Sequence, residues 1–121
     1  MKVLEFRWLG VGCEDLDGMK KFCTDVLGLE VIKEGEGRSF VEFQLESGQR
    51  FEVFGPKSRH FKLHARPVLA FVVGDIKAAR SDLEAAGIEI LTRTATYAKE
   101  ASWLYFRGPD GNVYELQQWK R

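Results

Sequence analysis

Two glutamates in equivalent places of a duplicated hairpin are the residues best suited to chemistry. Glu115 lies in residues 106–116, where the turn 109–112 separates two stretches of alternating apolar and polar residues. Residues 43–53 repeat this pattern 63 positions earlier and place Glu52 where the second copy has Glu115. A carboxylate between core-facing residues of a strand must point toward surroundings that tolerate charge.

Three roles suit such carboxylates. They can pair with Arg50 and Arg107, which alternate onto the same predicted face, or they can bind a cationic or hydrogen-bonding ligand. As a third role, Glu115 is the candidate catalytic residue, a general base that abstracts a proton beside a carbonyl group. In that case Glu115→Gln should abolish turnover and leave binding intact.

The elements that must position these residues follow the same order in each half of the chain. Asp15 or Asp17 and Asp75 begin the predicted helices, and Gly28 and Gly87 end them. Apolar periodicity predicts strands over 4–13, 29–33, 39–45 and 50–54 around a helix at 16–27, then strands over 68–73, 88–92, 102–107 and 113–118 around a helix at 76–86. Residues 93–101 form a predicted polar loop that contains Tyr97.

The fold class is therefore α+β, with one domain over residues 1–121 made of two βαβββ modules that share a core. The modules span 1–55 and 67–121, and the linker 56–66 joins them. Basic residues in the linker indicate a solvated segment, with a basic lip for an anionic ligand as the alternative.

Strand alternation sorts the residues onto two faces, of which one is continuously apolar and the other mixed. The mixed face carries aromatic walls and convergent polar groups, which favours a ligand pocket or a subunit interface over a solvated surface. The predicted ligand-binding residues are Trp8, Phe40, Glu42, Gln44, Arg50, Phe54, Trp103, Tyr105 and Arg107.

Composition excludes several classes of protein. Eighteen basic and eighteen acidic residues give no net charge, which disfavours nucleic-acid binding. No stretch is long and apolar enough to cross a membrane. The two cysteines form neither a C-x-x-C pair nor a disulfide framework, so we expect a cytoplasmic protein with reduced thiols.

The chain resembles the vicinal oxygen chelate superfamily, which includes glyoxalases, bleomycin resistance proteins and extradiol dioxygenases. The resemblance lies in the two modules, in Phe22 followed by residues 25–29 (DVLGL), in Asp75 before the second helix, and in residues 109–116 (PDGNVYEL). It implies a cup-shaped mixed sheet with helices on the outer face, and a homodimer. Whether the modules pair within one chain or swap between chains stays open.

The resemblance also implies where a metal would bind. The superfamily's ligands come from the first and fourth strands of each module, which correspond here to Trp8, Val68, Glu52 and Glu115. Tryptophan and valine are not metal ligands, so Glu52 and Glu115 are predicted as ligands only if a metal binds at all. His60 and His64 could contribute only if the linker folds back. We expect no cofactor, with a divalent ion (Mg, Mn, Fe, Zn or Ni) as the alternative.

Three functions follow from these features. The first is metal-independent binding of a small organic ligand, with Trp8 and Trp103 stacked on a flat aromatic molecule. The second is a divalent-metal lyase, isomerase or dioxygenase of the glyoxalase type. The third is a degenerate site kept for dimerisation or partner binding. The missing first-strand ligands favour the first function over the second, and the charged groups on the mixed face favour it over the third.

Overall fold

A computed structural model describes residues 1–96 and 100–120, so Tyr97 of the predicted loop lies outside the described residues. The elements follow the predicted order in both halves. They are β1 (Val3–Gly12), α1 (Leu16–Asp25), β2 (Glu30–Glu34), β3 (Phe40–Gln44), β4 (Arg50–Phe54), β5 (Val68–Val73), α2 (Ile76–Ala85), β6 (Glu89–Ile90), β7 (Ala95–Thr96), β8 (Ala101–Arg107) and β9 (Val113–Trp119), with 3-10 helices at Glu36–Arg38 and Phe61–His64. The α+β class is confirmed.

The chain forms two compact units. The N-terminal unit is Arg7–Val68, and the C-terminal unit is Leu69–Arg121 together with Met1–Phe6. None of the helices in the described ranges is long and apolar enough to cross a membrane.

In the N-terminal unit the strand order is β2-β3-β4-β1, with β1 parallel to β4 and the other neighbours antiparallel. Asp15 caps α1 by accepting a hydrogen bond from the Gly18 amide at 2.9 Å, which decides between the two predicted caps. The helix packs over one face of the strands through a cluster of buried residues, namely Leu16, Cys23, Val41, Phe43 and Val53. The predicted apolar face is confirmed here.

The C-terminal unit repeats this arrangement with the order β5-β9-β8-β6, and β7 pairs with β8. Asp75 accepts a hydrogen bond from the Ala78 amide at 3.1 Å and caps α2. The buried cluster under α2 consists of Val73, Ile76, Ala79, Leu83, Leu104, Phe106 and Leu116. In the hairpin, Gly111 has φ 83°, the left-handed conformation that the predicted turn requires.

Some predictions about the apolar residues were wrong. The helix predicted over 16–27 ends at Asp25, so Val26 and Leu27 lie beyond it and are 70% and 52% exposed. Phe22 lies inside the helix and is 44% exposed. Leu9, which alternation along the first strand predicts on the apolar face, is also exposed. In the C-terminal unit, Ala95–Thr96 forms a short strand inside the predicted polar loop, because β8 offers its edge for pairing.

Candidate ligand-binding site

The strand register of the N-terminal unit gathers several predicted site residues on the face opposite α1. Glu52 on β4 lies between Gly10 on β1 and Glu42 on β3, so three neighbouring strands surround the Glu52 position. Two residues further along, Phe54 pairs with Phe40 across the same hairpin. Since the side chains of a strand alternate in direction, these residues share one face.

Trp8 covers Glu52 and leaves no room for a side chain at Gly10. The indole Nε1 donates a hydrogen bond to Glu52 Oε1 at 3.0 Å, and Trp8 is only 6% exposed. A Cβ atom on Gly10 would lie 2.1 Å from Cη2 of Trp8, far inside van der Waals contact. The absence of a side chain at position 10 therefore lets the indole reach the carboxyl group on the adjacent strand.

A second carboxyl group faces Glu52 directly. Glu42 is buried and stands opposite Glu52 in the β3–β4 register. Arg50 Nη1 lies 3.5 Å from Glu42 Oε1, and both side chains are mostly buried. On the other side, Lys33 of β2 is the register partner of Glu42. The site thus contains two acids with different neighbours, a cation beside one and a neutral indole on the other.

Aromatic rings surround these acids. The Trp8 and Phe54 ring centroids are 6.2 Å apart, and Phe40 lies 6.2 Å from Phe54. The 3-10 helix Phe61–His64 folds back over them, so that His64 is fully buried 4.4 Å from the Phe54 centroid and 5.7 Å from that of Trp8. The prediction of a solvated linker is wrong for His64.

His64 is held in its neutral form. Its Nδ1 lies 2.7 Å from the His60 carbonyl oxygen, which can only accept, so Nδ1 carries the proton of this bond. Burial lowers the pKa of His64 to about 4, and burial together with Arg59 lowers the pKa of His60. Both imidazole rings are therefore uncharged at neutral pH.

The pKa of Glu52 is raised, whereas the pKa values of the two histidines are lowered. Burial is the largest cause and the Glu42 carboxylate the next, and together they raise the pKa of Glu52 to about 8. The Trp8 hydrogen bond and the attraction of Lys33 and Arg50 oppose this rise without cancelling it. A carboxylic acid that keeps its proton at neutral pH can donate a hydrogen bond.

The equivalent acid of the C-terminal unit has a different environment. Glu115 is 3% exposed, and its Oε1 accepts a hydrogen bond from Gln117 Nε2 at 3.1 Å. Gln117 Oε1 in turn accepts from the Trp119 indole Nε1 at 2.8 Å. In the register, Glu115 stands opposite Tyr105 and beside Ala70, so no second acid faces it from these two strands.

Other predicted residues are more dispersed. Trp103 lies opposite Gln117 in the β8–β9 hairpin. Arg107 is exposed, donates to the Gly111 carbonyl oxygen at 2.9 Å and lies 3.8 Å from Glu89. In the N-terminal unit, Gln44 lines a groove of about 830 Å³ next to Leu29. Phe40 borders a smaller cleft of about 370 Å³.

The donors of the N-terminal unit do not fit a divalent metal. The indole at the first-strand position has no lone pair to offer a cation, and its N–H donates to Glu52 Oε1 instead. Val68, the other first-strand position, is fully buried and apolar. Over residues 1–96 and 100–120, no three His, Cys, Asp or Glu side chains are grouped as metal ligands.

Gly10 and His64 were not among the predicted ligand-binding residues, and His64 was considered only as a metal ligand and only if the linker folds back. A glycine two residues after a tryptophan on the same strand face is a signal that could have indicated a ring folded over the backbone. His64 carried no comparable signal, because the neighbouring charged residues favoured a solvated segment.

Comparison with known proteins gives consistent matches. Residues 5–116 match the model of the Glyoxalase/Bleomycin resistance protein/Dioxygenase superfamily. The chain is 31% identical over 128 residues to a glyoxalase domain-containing protein, RDO1, of Mycosarcoma maydis, covering 99% of this chain and 71% of that protein.

Solved structures share the fold. A superfamily member from Vibrio splendidus 12B01 is 24% identical and superposes with a TM-score of 0.72, over 94% of this chain and 99% of that one. The Mn(II)-bound glyoxalase from Novosphingobium aromaticivorans is 25% identical with a TM-score of 0.74, over 97% of this chain and 39% of that chain.

Proposed function

Because the chain belongs to the Glyoxalase/Bleomycin resistance protein/Dioxygenase superfamily, we propose that it uses this fold to bind a small organic molecule without a metal. The ligand contacts the aromatic and carboxyl groups around Glu52 in the N-terminal unit. A homodimer and a cytoplasmic location remain predictions from the sequence.

One observation carries the proposal, namely the hydrogen bond from Trp8 to Glu52 at 3.0 Å. It gives Glu52 Oε1 a protein donor and places an indole at position 8, where a metal site would need a ligand. The rings of Phe40, Phe54 and His64 stand around this pair and offer apolar walls to an aromatic molecule.

Fluorescence of Trp8 alone tests the proposal directly. We would replace Trp103 and Trp119 with Phe, treat the protein with a chelator, and titrate it with a panel of small aromatic compounds. We expect at least one compound to quench the Trp8 fluorescence in a saturable way. When Trp8 is also changed to Phe, calorimetry at the same concentrations should detect no binding of that compound. A panel without any binder contradicts the proposal.

Metal content distinguishes this proposal from the main alternative. A divalent-metal lyase, isomerase or dioxygenase is favoured by the likeness to the Mn(II)-bound glyoxalase. Elemental analysis after supplementation with Mn²⁺, Ni²⁺, Zn²⁺ and Fe²⁺ should find less than stoichiometric metal. A stoichiometric ion that is lost in Glu52→Gln or Glu115→Gln would establish the alternative. Glyoxalase and dioxygenase substrates would then be tested, with Glu115 as the candidate base.

A further inference from the structure

The N-terminal unit has a cleft on the side of its strands that α1 covers. This cleft of about 370 Å³ is bounded by the first turns of α1, by the end of β2 and by the segment that joins β2 to β3. Its lining does not include the pair of Trp8 and Glu52. Small-molecule sites have volumes of about 300–1,000 Å³, so the cleft is large enough for a small organic ligand.

The inner surface of the cleft is apolar. Leu16 of α1 and Val41 of β3 line it, and both belong to the buried cluster under the helix. Their side chains are held in place by packing, so they offer a fixed surface to an aliphatic group. Burial of such a group against them is favourable, because it removes apolar area from water.

The rim of the cleft is charged, and the signs of the charges alternate. Asp17 and Lys20 are three residues apart on α1 and therefore lie on one face of the helix. Glu34 at the end of β2 and Arg38 before β3 form the opposite wall. Arg38 Nη1 donates to Asp17 Oδ2 at 3.0 Å, and Lys20 pairs with Glu34, so two ion pairs of opposite direction cross the cleft. A ligand with a single charge would meet a repelling group beside each attracting group.

The pair of Asp17 and Arg38 is the one that a ligand can open. The Arg38 and Asp17 side chains are 80% and 70% exposed, and ion pairs in such surroundings contribute little to stability. A ligand that offers each side chain an opposite charge can therefore replace the direct contact at small cost. Lys20 and Glu34 are less exposed, and we expect this second pair to stay closed as the end wall of the cleft.

The backbone of Arg38 also marks the cleft as a site. Its φ is 58°, and within residues 1–96 and 100–120 it is the only residue other than glycine with a positive φ. This left-handed conformation is unfavourable for a residue with a side chain, and residues strained in this way cluster at ligand-binding and catalytic sites. Here it follows Gly37, which has φ 62°, in the tight segment from which the guanidinium meets α1.

We propose that this cleft binds a free aliphatic α-amino acid. Arg38 binds the carboxylate of the ligand through its planar guanidinium group, and Asp17 accepts hydrogen bonds from the ammonium group. The aliphatic side chain packs on Leu16 and Val41. The site lies outside the group around Glu52, so it does not depend on the binding of an aromatic molecule there.

L-Leucine and two analogues are matched probes for the two charges. Isocaproate has the same aliphatic chain and carboxylate but no ammonium group, and isoamylamine has the chain and the ammonium group but no carboxylate. In calorimetry, leucine should bind at least about tenfold more tightly than either analogue, because each analogue loses hydrogen bonds between charged groups. Absence of leucine binding at millimolar concentrations, or equal binding by either analogue, overturns the proposal.

Two variants test the role of each charged residue. Arg38→Gly removes the guanidinium and suits the left-handed backbone, so its melting temperature should not fall by more than that of a surface substitution. In this variant leucine should bind no more tightly than isoamylamine. In Asp17→Asn, leucine should bind no more tightly than isocaproate, because the acceptor of the ammonium group has lost its charge.

Lys21→Gln is the matched control. It removes an exposed cation from the same helix that does not line the cleft, so leucine should bind to it as to the unchanged protein. A preference for leucine over both analogues that persists in Arg38→Gly and Asp17→Asn contradicts the assignment of the two residues. Loss of leucine binding in Lys21→Gln would show that general charge, and not the cleft, holds the ligand.

Discussion

The two units place a glutamate at the same point of the same hairpin and surround it differently. In the N-terminal unit the indole of Trp8 reaches Glu52 directly, whereas in the C-terminal unit the indole of Trp119 reaches Glu115 through Gln117. The opposing residue is an acid in the first case, Glu42, and Tyr105 in the second.

One small residue explains much of this difference. Beside Glu52 the neighbouring strand has Gly10, and beside Glu115 it has Ala70. Only the glycine leaves space for a ring that lies across the strand. The duplicated backbones therefore place an acid at the same point, while the first-strand residues, Trp8 with Gly10 and Val68 with Ala70, decide which side chain can approach it.

The largest expected effect is on the pH dependence of stability, to which Glu52 and His64 contribute with opposite signs. Since the pKa of Glu52 is raised to about 8, its contribution to stability is complete below pH 4.5 and is lost as the pH rises to 8. The pKa of His64 is lowered to about 4, so its contribution is complete above pH 6.5 and is lost as the pH falls. Between pH 4.5 and 6.5 the two contributions have opposite slopes and offset each other, so the free energy from urea unfolding should decline clearly only from pH 6.5 to about 8.

Variants show which residue causes each part of this dependence of stability on pH. Glu52→Gln should remove the decline above pH 6.5 and leave a rise between pH 4.5 and 6.5. Glu115→Gln should keep the decline, because it leaves the Glu42 and Glu52 pair intact. A decline of equal size in Glu52→Gln would show that another group causes it.

Gly10→Ala would make the N-terminal unit resemble its counterpart. The new Cβ would lie 2.1 Å from the Trp8 ring, so the indole must move and its hydrogen bond to Glu52 is strained. We expect the free energy of unfolding to fall by about 1–3 kcal/mol, as for other overpacked sites. Gly74→Ala is the control, because nothing lies within 4 Å of a Cβ there. Equal losses in the two variants would contradict the role of Trp8.

Replacing each tryptophan with phenylalanine compares the direct hydrogen bond of Trp8 to Glu52 with the contact of Trp119 to Glu115 through Gln117. Trp8→Phe should cost about 1–3 kcal/mol, because it deprives a half-buried acid of its donor. Trp119→Phe should cost about 1 kcal/mol, since Trp119 is only partly buried and donates to a neutral amide. Denaturant unfolding of both variants checks the order, and a larger loss in Trp119→Phe would reverse the comparison.

The helix caps are a point at which the units should not differ. Asp15 and Asp75 each accept one amide hydrogen bond, at 2.9 and 3.1 Å. Asp15→Ala and Asp75→Ala should each lower the free energy of unfolding by about 1 kcal/mol. Asp17→Ala is a control in the first turn of α1 that removes no capping bond. A marked difference between the two cap variants would mean that one helix depends more on its cap than on its packing.

Most of the fold could be predicted because it follows from local patterns. Alternation fixed the apolar face that carries Phe43 and Leu104, and the position of Gly111 fixed a turn that only a few residues can form. The errors arose where packing overrides periodicity. Apolar periodicity predicts the first helix to residue 27, but the helix ends at Asp25, which leaves Val26 exposed.

The site was less predictable, because it depends on how far side chains reach. Alternation placed Trp8, Glu42 and Glu52 on one face, but it gives no information on which groups touch. The burial of His64 depends on a segment that folds back by long-range contacts, such as those with Phe54. The composition of the residues near His64 indicates only that the segment is charged, and not that it folds back.

Gly10 also shapes the substitutions that this chain can accept. The clash with Trp8 exists only while position 8 carries an indole, so the effect of a side chain at position 10 depends on what stands two residues earlier. Changes at the two positions should be epistatic: alanine at 10 is harmful beside tryptophan and tolerated beside a smaller residue. A mutational path toward a ligating residue at position 8 must therefore begin at that position, and only afterwards does position 10 become free to vary.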